Sequence, residues 1–349
     1  MSNKNIISTT SGISFEQQEG QTILDASIEA ASPINHSCRS GRCGFCKVKV
    51  LSGETLAYRQ EELTPQEIED NYILTCARTA ISTIHIDADN LTKVNLPKSV
   101  TMPCGIAALT LLSNDVLKVV LRLPLIARLD YLPGQYIDIT NSYGIYRSYS
   151  LAKAKVDEQT IEIHIRKIEQ GAMSNYWFNQ AKVNDLLTLQ GPKGTFLLRD
   201  NIAKKDLYFL ATGTGIAPIH ALLETLEYLP ENHQPRSITV IWGGRKGEDF
   251  YMDLVGELSN NLKNIHIIYA LSNSHLTQTS LEEITFSNSS HYAQGYVQKL
   301  LLSLQPNLAN SRVYACGSPL MINDAQELLI ENGLDEKHFL ADAFVSSGA

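Results

Sequence analysis

Three rhythms of apolar and polar residues follow one another along the chain. Up to about residue 90, short strand-like runs surround two helix starts, Thr22 with Asp25 three positions on, and Thr64 with Pro65 and Glu67. Both are capping signatures, in which a hydroxyl can accept a first-turn N–H and the first turn holds an acid or a proline. The run Lys47–Leu51 and the alternating Thr83–Ala88 predict strands, so this segment reads as a small α+β unit. Residues 90–103, with two prolines among scattered polar positions, predict a linker. From Cys104 to Leu198, strand-like runs recur at Leu117–Leu123, Gln135–Thr140, Arg147–Leu151, Ile161–Lys167 and Leu186–Gln190, broken by a short helix near 173–180. Such a succession predicts an antiparallel barrel. After Lys205, strands at 207–211, 237–242, 265–271 and 312–315 interleave with helices from Ile216, near Asp249 and from Leu320, the pattern of a doubly wound parallel sheet. The expected domains are 1–92, 104–202 and 203–349, with 93–103 as linker.

A length of 349 residues suits two or three such domains, and 44% hydrophobic with 19% charged residues is the composition of a folded globular protein. The richest apolar stretch, Val116–Leu129, contains Lys118, Arg122 and Arg128, so no run is apolar enough to predict a membrane span. The first residues lack the apolar core of a signal peptide, and the expectation is a cytoplasmic protein without membrane insertion. A net charge of −8 argues against nucleic acid as a partner.

Six cysteines are unevenly placed: Cys38, Cys43 and Cys46 in one loop, Cys76 downstream, Cys104 and Cys316 isolated. In a reducing compartment this clustering points to metal rather than disulfides. C-x4-C-x2-C with a distant fourth cysteine is the plant-type [2Fe-2S] spacing, and Gly41 and Gly44 can take the positive φ that lets backbone wrap around sulfides. The alternative, a zinc site, usually shows two C-x2-C pairs, and one occurs here. With its C-R-x-G-x-C-G-x-C wording and the LTCA around Cys76, residues 1 to about 90 resemble a plant-type ferredoxin domain, which implies a β-grasp fold and four cluster ligands, Cys38, Cys43, Cys46 and Cys76.

In the second segment, PGQYIDI (133–139), RSYS (147–150) and IRKIEQGAMS (165–174) occur in order. An arginine can pair with pyrophosphate, a tyrosine can stack on a ring, and a serine can hydrogen-bond a flavin nitrogen. By itself R-x-Y-S is equally an amphipathic strand. In this order and context, the segment resembles the flavin barrel of the ferredoxin-NADP reductase superfamily. The resemblance implies FAD, with Arg147 and Ser174 at the pyrophosphate, Gly171 and Met173 among the other cofactor-binding residues, Tyr149 lining the isoalloxazine and Ser150 near its N5.

The third segment runs from strand LYFLAT into GTGIAP (213–218) and a helix, where glycines let backbone approach phosphate at a helix start. Pro218 replaces the last glycine of the dinucleotide fingerprint, but G-x-G-x-x-P, WGGRKGEDFY (242–251) and YACGSPLM (314–321) match motifs of the same superfamily. The resemblance implies Gly213, Thr214, Gly215 and Pro218 at the nucleotide, Thr214 and Cys316 flanking the nicotinamide, and Asp249 near the adenosine ribose. A carboxylate there would favour NADH over NADPH. Asp249 is alternatively a helix N-cap or first-turn acid, Cys316 a small buried hydrophobe, and Phe344, the aromatic expected over the flavin, a core residue. His164 and Cys104 read as packed residues.

Cluster, flavin and nucleotide motifs together imply one circuit, with hydride passing from NADH to FAD and electrons leaving singly through the cluster to a partner protein. The stretch LRLPLIARLDYLPGQYIDI leading into YRSYSLA is similar to reductases serving CDP-4-keto-6-deoxyglucose 3-dehydratase in 3,6-dideoxyhexose synthesis. The alternatives are the reductase component of an aromatic-ring or other oxygenase, and a redox sensor without turnover. Glu54, Glu61, Glu62, Glu67, Glu69 and Asp70 form an acidic run that is either a solvated face or a steering surface for a basic partner.

Overall fold

The computed structural model describes residues 4–89, 91, 94–154, 159–253, 258, 262, 264–272 and 290–345. Met1–Pro97 and Lys98–Ala349 form two compact units.

In the first unit, β1 (Asn5–Thr9), β2 (Ser14–Gln17), β3 (Lys47–Ser52), β5 (Tyr72–Leu74) and β7 (Ile84–Asp87) form one sheet in the order β2-β1-β7-β3-β5. Strands β1 and β7 run parallel and the other neighbours antiparallel, giving the expected β-grasp. Helix α1 (Ile23–Glu29) starts where Thr22 accepts the Asp25 N–H, a cap worth about 1 kcal/mol. Its buried Ile23, Leu24 and Ala26 join Ile7, Val48, Leu74 and Ile86 in the core. Thr64 and Glu67 form the full capping box on α2 (Pro65–Glu69), and a small ribbon pairs β4 (Thr55–Ala57) with β6 (Arg78–Ala80).

The second unit opens with a six-stranded antiparallel sheet: β8 (Val100–Ser113), β9 (Val116–Arg122), β10 (Tyr136–Thr140), β11 (Tyr146–Ser150), β12 (Thr160–Arg166) and β13 (Leu186–Lys193), ordered β11-β10-β13-β8-β9-β12. A bridge between Leu151 and Ile163 joins the two edges, making the expected barrel. Strand β8 was not anticipated, and it begins inside the predicted linker: Val100 pairs with Gly191 and Pro103 with Thr188. Its register shifts at Ile106/Ala108 and Leu111/Ser113, so the period of two that betrays a strand is broken twice. The expected helix near 173–180 is α3 (Ala172–Asn175) continued by a π-turn at Tyr176–Gln180.

Six parallel strands complete the unit: β14 (Asp206–Thr212), β15 (Ser237–Gly244), β16 (Ile265–Leu271), β17 (Ser290–Gln294), β18 (Ser311–Gly317) and β19 (Phe339–Ala343), ordered β17-β16-β15-β14-β18-β19. Helices α4 (Ile216–Glu227), α5 (Val297–Ser303) and α6 (Pro319–Glu331) connect them. Where a helix is expected near Asp249 the structure has a 3-10 turn, Gly247–Asp249, and residues 254–257 lie outside the described residues. Chain order reverses between β14 and β18, and ligands of such sheets bind beyond the carboxyl ends of the strands at that reversal. No helix among the described residues is long and apolar enough to cross a membrane.

Candidate functional site

Cys46 and Cys76 are buried and Cys38 and Cys43 half-buried at one end of the first sheet. Gly41 and Gly44 both take φ of +79°, as expected, and a Cβ on Gly41 would collide with the Gln60 carbonyl. The loop turns its backbone donors onto sulfur: the Ser40 N–H reaches Cys38 Sγ at 3.4 Å. The Cys38 thiol is pulled below its ordinary range, first by a hydrogen bond from Cys43, and the Cys76 thiol likewise by Cys46 and then by the Gly41 backbone. Cys43 and Cys46, which donate those hydrogen bonds, are pushed up by them and by burial, so two of the four thiols are biased towards thiolate, and four sulfurs in a loop that turns backbone N–H groups onto them suit the charge of a [2Fe-2S] cluster. Among the described residues no three His, Cys, Asp or Glu side chains converge as for a single metal ion. Cys104 lies in the barrel core, its thiol pushed up to about 12 by burial.

On the barrel, β11 carries Arg147, Tyr149 and Ser150. Trp177 donates its indole N–H to the Tyr149 hydroxyl at 2.8 Å, with the rings edge-to-face, which fixes the tyrosine. The Arg147 guanidinium reaches the Tyr146 carbonyl at 2.7 Å. Met173 is buried, and Ser174 accepts the Ile168 N–H at 2.8 Å, closing the turn that starts at Gly171. Over this turn lies a cavity of 360 Å³ bordered by Lys167, Gly171, Ser174 and Asn175. The cation and the open turn fit a phosphate-bearing group there, whereas Arg147 does not border this cavity.

At the sheet reversal, Gly213–Gly215 form a 3-10 turn into α4, with Pro218 in the first helical turn, where its missing N–H costs nothing. A Cβ on Gly215 would collide with the Cys316 carbonyl, and one on Gly317 with Thr212, so only glycines let the two strand ends cross so closely. Trp242 donates to the Gly213 carbonyl at 3.0 Å and holds the turn. Cys316 and Asp342 stand side by side on β18 and β19, and Ser150 reaches across from the barrel to donate to Asp342 Oδ2 at 3.2 Å. Phe344 follows, its N–H bound to the Gly317 carbonyl at 2.9 Å and its ring 40% exposed, which excludes the core alternative. Burial, first, and then Asp342 push the Cys316 thiol well up. Ser150 and Asp342, which sequence reading missed, thus meet beside Cys316, which is fully buried in the core as the small-hydrophobe alternative has it, and Phe344 follows on the same strand end.

Asp249 is placed otherwise than expected. Its Oδ2 accepts the Arg245 and Lys246 N–H groups at 2.7 and 3.3 Å, and its Oδ1 pairs with Arg166 at 3.0 Å. The carboxylate is 5% exposed and taken up by its own turn, where Asp249 is the first-turn acid given as the alternative reading. Arg166, also missed, binds Asp115 at 2.8 Å as well, and its guanidinium lies 2.8 Å from where a Cβ on Gly213 would stand. A cation directly over the glycine turn suits a pyrophosphate. His164 is a packed residue, bonded to Glu162 at 2.9 Å and to the Tyr251 hydroxyl at 3.2 Å.

Comparison with known proteins places three domain families along the chain: a 2Fe-2S iron-sulfur cluster binding domain at residues 6–80, an oxidoreductase FAD-binding domain at 103–197 and an oxidoreductase NAD-binding domain at 209–327. The chain is 37% identical to the CDP-6-deoxy-L-threo-D-glycero-4-hexulose-3-dehydrase reductase of Yersinia pestis, over 97% of both proteins. It is 28% identical to reductase component 1 of the terephthalate 1,2-dioxygenase of Comamonas, over 97% of this chain and 96% of that one. Among solved structures, the Amycolatopsis cytochrome P450 reductase GcoB shares the fold with a TM-score of 0.75 at 22% identity, covering 99% of this chain and 100% of that one.

Proposed function

We propose, from the premise that this chain belongs to the family of the CDP-6-deoxyhexulose 3-dehydrase reductases, that it delivers single electrons to a CDP-4-keto-6-deoxyglucose 3-dehydratase in 3,6-dideoxyhexose synthesis. The chain is an NAD(P)H-dependent iron-sulfur flavoprotein oxidoreductase with domains for a [2Fe-2S] cluster, FAD and the nicotinamide nucleotide. Bound together, these groups take up an electron pair as hydride and release it one electron at a time, and the protein supplies position and electrostatics. The observation that supports this partner is full-length identity of 37% to a dehydrase reductase, against 28% to an oxygenase reductase.

Within this reading, Cys38, Cys43, Cys46 and Cys76 hold the cluster. The Gly171–Ser174 turn and Lys167 hold the FAD phosphates, while Tyr149 and Ser150 line its ring. Gly213–Gly215 and Arg166 take the pyrophosphate of NADH, and Cys316 and Phe344 border the nicotinamide. The enzyme would act in the cytoplasm, where the loop thiols stay reduced.

The test is anaerobic turnover with NADH, the dehydratase and its CDP-sugar, assayed for 3-deoxygenated product. Product that disappears in a Cys76→Ser variant supports the reading. Full reduction of flavin and cluster without product would turn the search to an oxygenase component.

A further inference from the structure

Five consecutive residues, Leu56 to Gln60, are exposed and run across the mouth of the cysteine loop. The N–H groups of Tyr58 and Arg59 reach the Ala77 carbonyl at 2.7 and 3.3 Å, tying the strip to the residue after Cys76. Arg59 Nη1 donates to the Arg39 carbonyl at 3.0 Å, tying it to the residue after Cys38. Gly41 is seated on the Gln60 carbonyl, so the strip packs directly against the cysteine loop.

The composition of this strip and loop is distinctive. Leu56 and Tyr58 are 58% and 62% exposed. Three of the four arginines in residues 1–97 stand here: Arg39, paired with Asp25, and the exposed Arg42 and Arg59. Residues 37–46 and 56–60 contain no acid, and Glu61 and Glu62 mark the border, in a chain whose net charge is −8. The acidic run read from the sequence is partly spent on structure: Glu61 binds the Leu74 N–H and Arg78, and Glu67 caps α2 and pairs with Lys47.

We infer that this arginine-rimmed strip, with Leu56 and Tyr58 at its centre, is the docking face for the electron-accepting protein, and that the acceptor presents an acidic surface. The inference rests on the proposed circuit. In the transfer itself a reduced cluster loses one electron and a one-electron acceptor cofactor of the partner gains it, with no bond made and no proton moved. Such transfer weakens with distance, which favours the face beside the loop whose Cys38 and Cys43 are only half-buried. Tyrosine and arginine are the residues that dominate interface energetics, and exposed arginines steer an acidic surface into register.

Three measurements on the holoprotein test this, comparing wild type with an Arg42→Glu/Arg59→Glu variant and with Tyr58→Ala. The first is the dissociation constant for the dehydratase at low and high salt. The second is the rate at which NADH alone reduces the cluster, followed by cluster absorbance. The third is reduction of cytochrome b5, an acidic one-electron acceptor, against cytochrome c, a basic one. Charge reversal is expected to weaken dehydratase binding about a hundredfold and Tyr58→Ala about tenfold, to flatten the salt dependence, and to slow cytochrome b5 selectively, with cluster reduction by NADH unchanged. Unchanged dehydratase affinity overturns the inference, as does a matching loss in NADH-driven cluster reduction, which would assign the face to electron entry. Should wild type not bind the dehydratase, the proposed partner fails on its own. The cytochrome pair then decides the face: a preference for cytochrome b5 that is lost on charge reversal sustains it, and an unchanged preference overturns it.

Discussion

Ser150, on the last position of a barrel strand, donates its hydroxyl to Asp342 on the edge strand of the parallel sheet, and both side chains are buried. Cys316 is the register neighbour of Asp342, so this one hydrogen bond joins the barrel to the strand ends at the sheet reversal. An Asp342→Ala variant should bind NADH with little change in KM, yet pass hydride about ten- to a hundredfold more slowly, because no acceptor is left to orient the serine hydroxyl. Stopped-flow reduction of the bound flavin reads this directly. Recovery in Asp342→Glu separates positioning from a general loss of structure.

Arg166 is held by Asp115 and Asp249 above Gly213. Removing the guanidinium in Arg166→Ala should raise KM for NADH about tenfold, equivalent to about 1.4 kcal/mol, with a smaller effect on kcat. The KM of wild type should rise with ionic strength more steeply than that of the variant. An unaltered KM would leave Arg166 as an interdomain ion pair alone.

The six cysteines should separate cleanly. Cys76→Ser should lose the visible absorbance of the cluster while NADH still reduces ferricyanide through the flavin. Cys104→Ser should keep the cluster and instead lose about 1–3 kcal/mol of stability, since it places a hydroxyl in the apolar core of the barrel. Visible spectra and thermal melts distinguish the two.

His164 is buried against Glu162 and Tyr251, and burial holds its pKa below the ordinary 6.5, with the Glu162 bond opposing the shift. The folded state therefore resists protonation more than the unfolded chain. Stability is fully present above pH about 6.5 and is lost as pH falls from there towards the folded value. Calorimetric melts between pH 8 and 5 should show wild type losing Tm below pH about 6.5, and a His164→Gln variant losing less. Equal slopes would assign the acid sensitivity to other groups.

Gly317→Ala should be far more damaging than Gly333→Ala, although both glycines have positive φ. At Gly317 a Cβ meets Thr212 and forces apart the ends of β14 and β18, whereas at Gly333 it meets nothing within 4 Å. Loss of NADH affinity in the first and its retention in the second, measured by titration, would place the nucleotide at this crossing.

What the sequence determined by itself is the set of features written in local spacing. The cluster loop needs four cysteines and two glycines at fixed offsets, the helix starts need a hydroxyl and an acid three residues apart, and the parallel strands are short apolar runs between helices. Each of these is a short-range requirement of bond geometry or capping, so a linear reading recovers it. Strand β8 escaped because its bulges break the period that a linear reading follows. The roles of Asp342, Arg166 and Asp249 were decided only in three dimensions. A carboxylate's function depends on whether its oxygens are already spent, and Asp249 is spent on Arg245, Lys246 and Arg166, residues adjacent in the chain and remote from it. Asp342 meets Ser150 across 192 positions of sequence. No local pattern encodes such a pairing, because it is the closure of a barrel against a sheet that brings the two together.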